Sequence, residues 1–186
     1  HHENVRTGAD PTFGIPYDRV GQVTASARAM GFDVEGLHAH AGSGITSEEG
    51  LAAHRELVSR MGTLARDVGD IAAVNVGGGF GVPYRPAEDP LDLQAVAATT
   101  REAAGDIDAT LGIEPGRYVV ADAGVLVTTV NTVKPTPETL VAGTDCGMTT
   151  LIRPALYEAY HEIATLAPDA ADREQRDVTV TGPVCE

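Results

Sequence analysis

The chain has 186 residues, 42% of them hydrophobic, which is enough for one sizeable core in a single domain or in part of a larger one. Its 27 acidic and 13 basic residues leave a net charge of −14, which argues against nucleic acid and anionic membranes as partners. Two distant cysteines, Cys146 and Cys185, make no disulfide framework, no apolar run reaches membrane-spanning length and no signal peptide is visible, so a cytoplasmic protein is expected.

Taken in chain order, "YDRVGQVTASARAM" has helical spacing at Val20, Val23, Ala27 and Met30, and "GFDVEGLHAHAG" reads as a short strand closed by glycine. Ser47 and two glutamates then open a second helix, with Leu51, Leu57, Val58, Met61 and Leu64 largely on one side. "IAAVNVGGGFG" is the next strand, "LDLQAVAATTREAAG" the next helix and "ATLGIEPGR" the third strand. This alternation predicts βα units and a parallel sheet. From about Gly124 the texture becomes β-rich, in "VLVTTVNTVK", "TLVAGTDCGM" and "RDVTVTGPVCE", with a proline-containing link at Lys134 to Pro137. The expected domains are residues 1–123, part of a (β/α) barrel, and residues 124–186, the start of a β domain.

Each strand of the first region ends in its most chemically loaded residues. Those are the ends that carry the active site of a (β/α) barrel, so three strand ends point at one mouth. "VNVGGGFG" admits two readings: a phosphate cradle of backbone N–H groups, or a turn whose glycines serve tight packing. It is not a dinucleotide fingerprint, because Val82 stands where the third glycine belongs. "IEPGR" places Glu114 and Arg117 at a strand end, suited to a protonated ring nitrogen and a phosphate, or to each other as an ion pair. His38 and His40 share a strand face and suit a metal, an aromatic cofactor or simple packing. Arg153 and Tyr157, at i and i+4 in "LIRPALYEAYH", fit a carboxylate clamp or an arginine packed on a tyrosine, and His161 continues that face as a structural residue. Cys146 receives no role.

In this order, "FGIP", "GLHAHAGSG", "VNVGGGFGVPY", "IEPGRYVV", "DCGMTTLIRPALYEAYH" and "GPVCE" resemble the pyridoxal-phosphate-dependent decarboxylases of the alanine-racemase fold, most of all the branch acting on diaminopimelate. The resemblance implies an α/β fold: a partial (β/α)8 TIM-type barrel followed by the beginning of a C-terminal β domain. It implies pyridoxal 5'-phosphate as cofactor, with His40 against the pyridine ring and Ser43 near the phosphate. Gly77, Gly78 and Gly79 would cradle that phosphate, Glu114 would pair with the ring nitrogen, and Pro115, Gly116 and Arg117 would finish the phosphate end. Arg117, Arg153, Tyr157 and Glu186 would reach an amino-acid substrate, and Cys185 would donate a proton across a homodimer interface with shared active sites. No metal is expected.

The implied reaction converts meso-2,6-diaminopimelate to L-lysine and CO2, the last step of lysine biosynthesis by that route. Sister decarboxylases of ornithine, arginine or carboxynorspermidine are the nearest alternative, and a metal-dependent barrel hydrolase on His38 and His40 is a distant one. Gly44 stands where the family commonly has glutamine. The chain opens on His1-His2-Glu3 and stops inside the Cys-Glu motif, so an internal fragment is expected. Its sole lysine, Lys134, matches no motif, so the piece alone is expected to lack the Schiff-base lysine and to be inactive. Lysine-poor, aspartate-rich composition also suits a high-salt cytoplasm.

Overall fold

The computed structural model describes residues 13–184, which divide into two compact units, one ending at Ala123 and the other beginning at Gly124. In the first unit, helices α1 (Val20–Ala29), α2 (Glu48–Val68) and α3 (Leu93–Ala104) alternate with strands β1 (Gly36–His38), β2 (Ala73–Asn75) and β3 (Thr110–Gly112). The strands form one parallel sheet in the order β1-β2-β3. A short helix, α4 (Gly116–Val120), follows β3.

The core lies between this sheet and the inner faces of α2 and α3. Val58, Met61 and Ala65 of α2 pack with Ile71, Val74, Val76 and Ala104. Ser47 caps α2 by accepting from the Gly50 N–H at 3.2 Å, and Asp92 caps α3 by accepting from Gln94 and Ala95. At its far end α2 is closed by Arg28, whose guanidinium donates to the carbonyls of Val68, Gly69 and Asp70. The buried side of α1 also departs from the expected face. Met30 is exposed; Arg28 ties the helix to the end of α2, while buried Thr24 donates its hydroxyl within the helix to the Val20 carbonyl.

The strands are shorter than the apolar runs suggest. Only Gly36–His38 of "GFDVEGLHAHAG" pairs regularly, because the glycine-containing loop after it turns out of the ladder toward the next strand end.

The second unit is a three-stranded mixed sheet of β4 (Val130–Pro135), β5 (Leu140–Thr144) and β6 (Val178–Thr181). β4 and β5 are antiparallel, and β5 and β6 are parallel. Lys134 belongs to β4 opposite Val141, so the turn falls at Thr136–Thr139 rather than at Lys134. That turn is closed by the Thr136 hydroxyl, which accepts from the Thr139 N–H and donates to its carbonyl. The Asp145 carboxylate accepts from the Thr128 hydroxyl at 2.6 Å and the Thr129 N–H at 2.9 Å, which hold it below the usual carboxylate range.

Helix α5 covers only Arg153–Tyr157. Glu158 adopts φ 52°, a left-handed conformation that ends the helix, so His161 does not continue its face. The chain instead folds back, bringing His161 Nε2 within 2.9 Å of Arg153 Nη1.

Candidate functional site

Parallel pairing sets the site. Register aligns His38 with Asn75 and Asn75 with Gly112, so the segments after β1, β2 and β3 leave the sheet along the same edge. The loop after β1 lies on the glycine run after β2: the Gly79 carbonyl accepts from both the Gly44 and Ile45 N–H groups, at 3.0 and 2.8 Å. Ile45 and Phe80 continue this as an isolated parallel bridge. Phe80 and Ile45 are buried with Val96, and His54 of α2 meets the Phe80 ring edge-on at 5.8 Å.

The three glycines are required by close approach. A Cβ on Gly77 would lie 2.7 Å from Nδ1 of His40, one on Gly78 would run into the Glu114 carbonyl, and one on Gly79 into the Gly42 carbonyl. Gly77 and Gly79 also have φ of 72° and 92°, where glycine is favoured. Two of their N–H groups are spent within the protein: Gly77 donates to Asn75 Oδ1 at 2.8 Å, and Gly78 to His40 Nδ1 at 3.2 Å. Here the glycines let three strand ends converge, and of the three only Gly79 lines the pocket that results.

That pocket, of about 170 Å³, is walled by His40, Ser43, Gly79, Glu114, Pro115, Gly116 and Arg117, together with Gly44 and Phe80. A larger cavity of about 490 Å³ lies at the opposite ends of β2 and β3, near Gly69, Asp70, Asp106 and Asp108, and contains none of the residues singled out in the sequence.

Glu114 is held on both carboxylate oxygens. Asn75 Nδ2 donates to Oε1 at 3.2 Å, and His38 Nε2 lies 3.3 Å from Oε2. Glu114 makes no ion pair with Arg117, the structural alternative for "IEPGR"; its partners are the Asn75 amide and the His38 ring. His38 and His40 also take separate tasks, one on Glu114 and the other on Gly78. Among the described residues no group of three or more His, Cys, Asp or Glu side chains is placed to hold a metal. Asn75 was missed in the sequence. The only sign of it there is its place two residues before the glycines, and its role depends on register.

The donor set fits a flat, protonated heteroaromatic ring bearing a phosphate. A carboxylate on one wall suits a ring N–H, a guanidinium and a hydroxyl suit the anion, and glycine leaves room for a ring. In the second unit, Arg153 and Tyr157 stand at the two ends of α5. Thr144 Oγ1 bonds both the Cys146 and Thr181 carbonyls, and Gly147 packs directly on Gly182, so the "TDCG" turn braces the start of "GPVCE". Cys185 and Glu186 lie outside the described residues. No helix among the described residues is long and apolar enough to cross a membrane.

Residues 1–121 match the family described as pyridoxal-dependent decarboxylase, pyridoxal binding domain. The whole chain is similar to diaminopimelate decarboxylase from Methanothermobacter thermautotrophicus, 37% identical, and from Deinococcus radiodurans, 38% identical, and spans 45% of the length of each. Among solved structures it resembles Helicobacter pylori diaminopimelate decarboxylase complexed with L-lysine, with a TM-score of 0.83 and 30% identity over all of this chain and 46% of that one. Glycines joining three strand ends, a doubly held carboxylate facing the pocket and the family match over most of the chain agree: this chain belongs to the pyridoxal-dependent decarboxylases, whose cofactor is pyridoxal phosphate.

Proposed function

We propose that the protein containing this chain decarboxylates meso-2,6-diaminopimelate to L-lysine and CO2 in the cytoplasm, as a homodimer with shared active sites. In this reading residues 1–123 are part of a (β/α)8 barrel of the alanine-racemase type and residues 124–186 begin its β domain. The observation that carries it is the Glu114 carboxylate, held on both oxygens at the wall of a pocket that Ser43, Gly116 and Arg117 complete. Identity of 33–38% to diaminopimelate decarboxylases along the whole chain supports the substrate.

When bound, pyridoxal phosphate supplies an electron sink for the pair left behind as the α-carboxylate departs as CO2. The residues of this chain prepare that step. Glu114 keeps a carboxylate facing the ring nitrogen, favouring its protonated form. His40, whose Nδ1 accepts from Gly78, lines the pocket and would lie against the ring. Arg117 and Ser43, both in the pocket wall, would hold the phosphate as a charged fork and a hydroxyl. Arg153, Tyr157 and Glu186 would bind the distal amino-acid centre of the substrate, its carboxylate on arginine and its ammonium on glutamate, and Cys185 would supply the proton that replaces CO2 at the α-carbon. Ornithine lacks the distal carboxylate that Arg153 would bind.

The test uses the complete gene product, measuring cofactor absorbance and then CO2 release from meso-diaminopimelate beside ornithine and arginine. Release from diaminopimelate alone, with lysine as product, is expected. A cofactor-loaded protein active only on ornithine or arginine would move the reading to a sister enzyme, and a protein that takes up no cofactor would end it.

A further inference from the structure

We propose that Asn75 is a positioning residue that couples the two ends of the cofactor site, tying the carboxylate that would face the ring nitrogen to Gly77, the first glycine of the run whose Gly79 lines the pocket. The inference rests on the cofactor reading above and assigns a role that neither the glycine motif nor the Glu-Pro-Gly-Arg motif contains. One amide side chain spans both. Its Nδ2 donates to Glu114 Oε1 at 3.2 Å, and its Oδ1 accepts from the Gly77 N–H at 2.8 Å.

The chemistry admits only this orientation. A flipped amide would set NH2 against the Gly77 N–H and a carbonyl oxygen against the carboxylate, losing both bonds. The register makes the bridge possible: Asn75 is the last residue of β2, opposite Gly112 of β3, and Glu114 lies two residues past Gly112. Gly112 presents no side chain there; a Cβ on it would already touch the Asn75 amide at 3.6 Å. The Glu114 N–H donates in turn to the Gly77 carbonyl at 2.9 Å, so Asn75, Gly77 and Glu114 form a closed ring of three hydrogen bonds. His38 holds the other Glu114 oxygen but is not bonded to the glycine run; Asn75 bonds to both.

A carboxylate retains lone pairs beyond the two used here, so Glu114 can accept from Asn75 and His38 and still face a ring N–H. Fixing one oxygen through Asn75 prevents the side chain from rotating away. Because the same amide holds Gly77, displacement at one end of the site is transmitted to the other.

The test uses the complete gene product loaded with 15N-labelled pyridoxal phosphate, following the ring nitrogen by 15N NMR and the phosphate by 31P NMR across pH. In Asn75→Leu both arms are lost, and both signals are expected to move while cofactor affinity falls about 10-fold, the scale of one charge-assisted hydrogen bond. Asn75→Asp keeps an acceptor for Gly77 but removes the donor to Glu114. Its carboxylate meets Glu114 with a like charge in place of a donor, so the pH dependence of the 15N signal should shift, and the 31P signal should move with it through the bond to Gly77. This variant preserves size and keeps the question answerable should the leucine variant fail to fold. Glu114→Gln, as a control, should move the 15N signal alone. Asn75→Asp with both signals unchanged, or with the 15N signal displaced alone, overturns the coupling. A wild-type protein that shows no bound-cofactor signals overturns the cofactor reading itself, a result distinct from either.

Discussion

The backbone N–H of Gly78 donates to Nδ1 of His40 across 3.2 Å, joining the end of β2 to the loop after β1 at the wall of the pocket. Substitution Gly78→Ala would drive a Cβ into the Glu114 carbonyl, and relief requires the two backbones to separate. Overpacking of this kind costs about 1–3 kcal/mol, and here it also breaks the His40 contact. A lowered melting temperature together with weaker cofactor binding is expected in the complete protein; an unchanged melting temperature would show that the strand ends yield more easily than their packing implies.

Glu114→Gln keeps the shape of the side chain and removes its charge. The Asn75 arm can still donate to the amide oxygen, so the fold should persist. Turnover is expected to fall by about 10²- to 10³-fold, the usual effect of deleting one preorganised electrostatic partner. Steady-state kcat with diaminopimelate checks this, and a variant within a few-fold of the wild type would remove Glu114 from the ring nitrogen.

Arg153→Ala should act on substrate rather than cofactor. With the distal carboxylate unpaired, KM for diaminopimelate is expected to rise by about 10- to 100-fold, in keeping with a lost charge-assisted hydrogen bond. Cofactor absorbance should be unaffected. Parallel loss of cofactor would instead trace to the Arg153–His161 contact that anchors α5.

His54 supplies a pH dependence of stability. It is buried on α2, with Nε2 2.9 Å from the Thr100 hydroxyl, and burial lowers its pKa from the ordinary 6.5. Below pH 6.5 the unfolded chain therefore binds more protons than the folded one, and stability falls as pH drops until the folded value is passed. Above pH 6.5 both states hold the neutral ring and the effect vanishes. Chemical denaturation between pH 8 and pH 5 should show this loss, and His54→Gln should flatten it relative to the wild type; parallel curves would place the pH dependence elsewhere.

Local signals in the sequence carried the elements. Ser47 before two glutamates marks the start of α2, the spacing of Val58, Met61 and Leu64 marks its inner face, and three glycines after β2 mark a phosphate cradle or a tightly packed turn. Each depends on neighbours within a turn or two, and such signals survive without tertiary context. The motifs at strand ends also placed His40, Ser43, Glu114 and Arg117 around one pocket.

What the tertiary structure alone decided is which groups those residues meet. Sequence order separates His38 from Glu114 by 76 positions and Asn75 from Glu114 by 39, and only the parallel register of β1, β2 and β3 closes those gaps to hydrogen-bond distance. The same holds for the Gly77 and Gly78 N–H groups, which chain-local reasoning directs at an anion and packing directs at Asn75 and His40. Residue type and spacing specify what a side chain is able to do. Which partner it has is set by long-range strand pairing, a property of the folded sheet and not of any one of its segments.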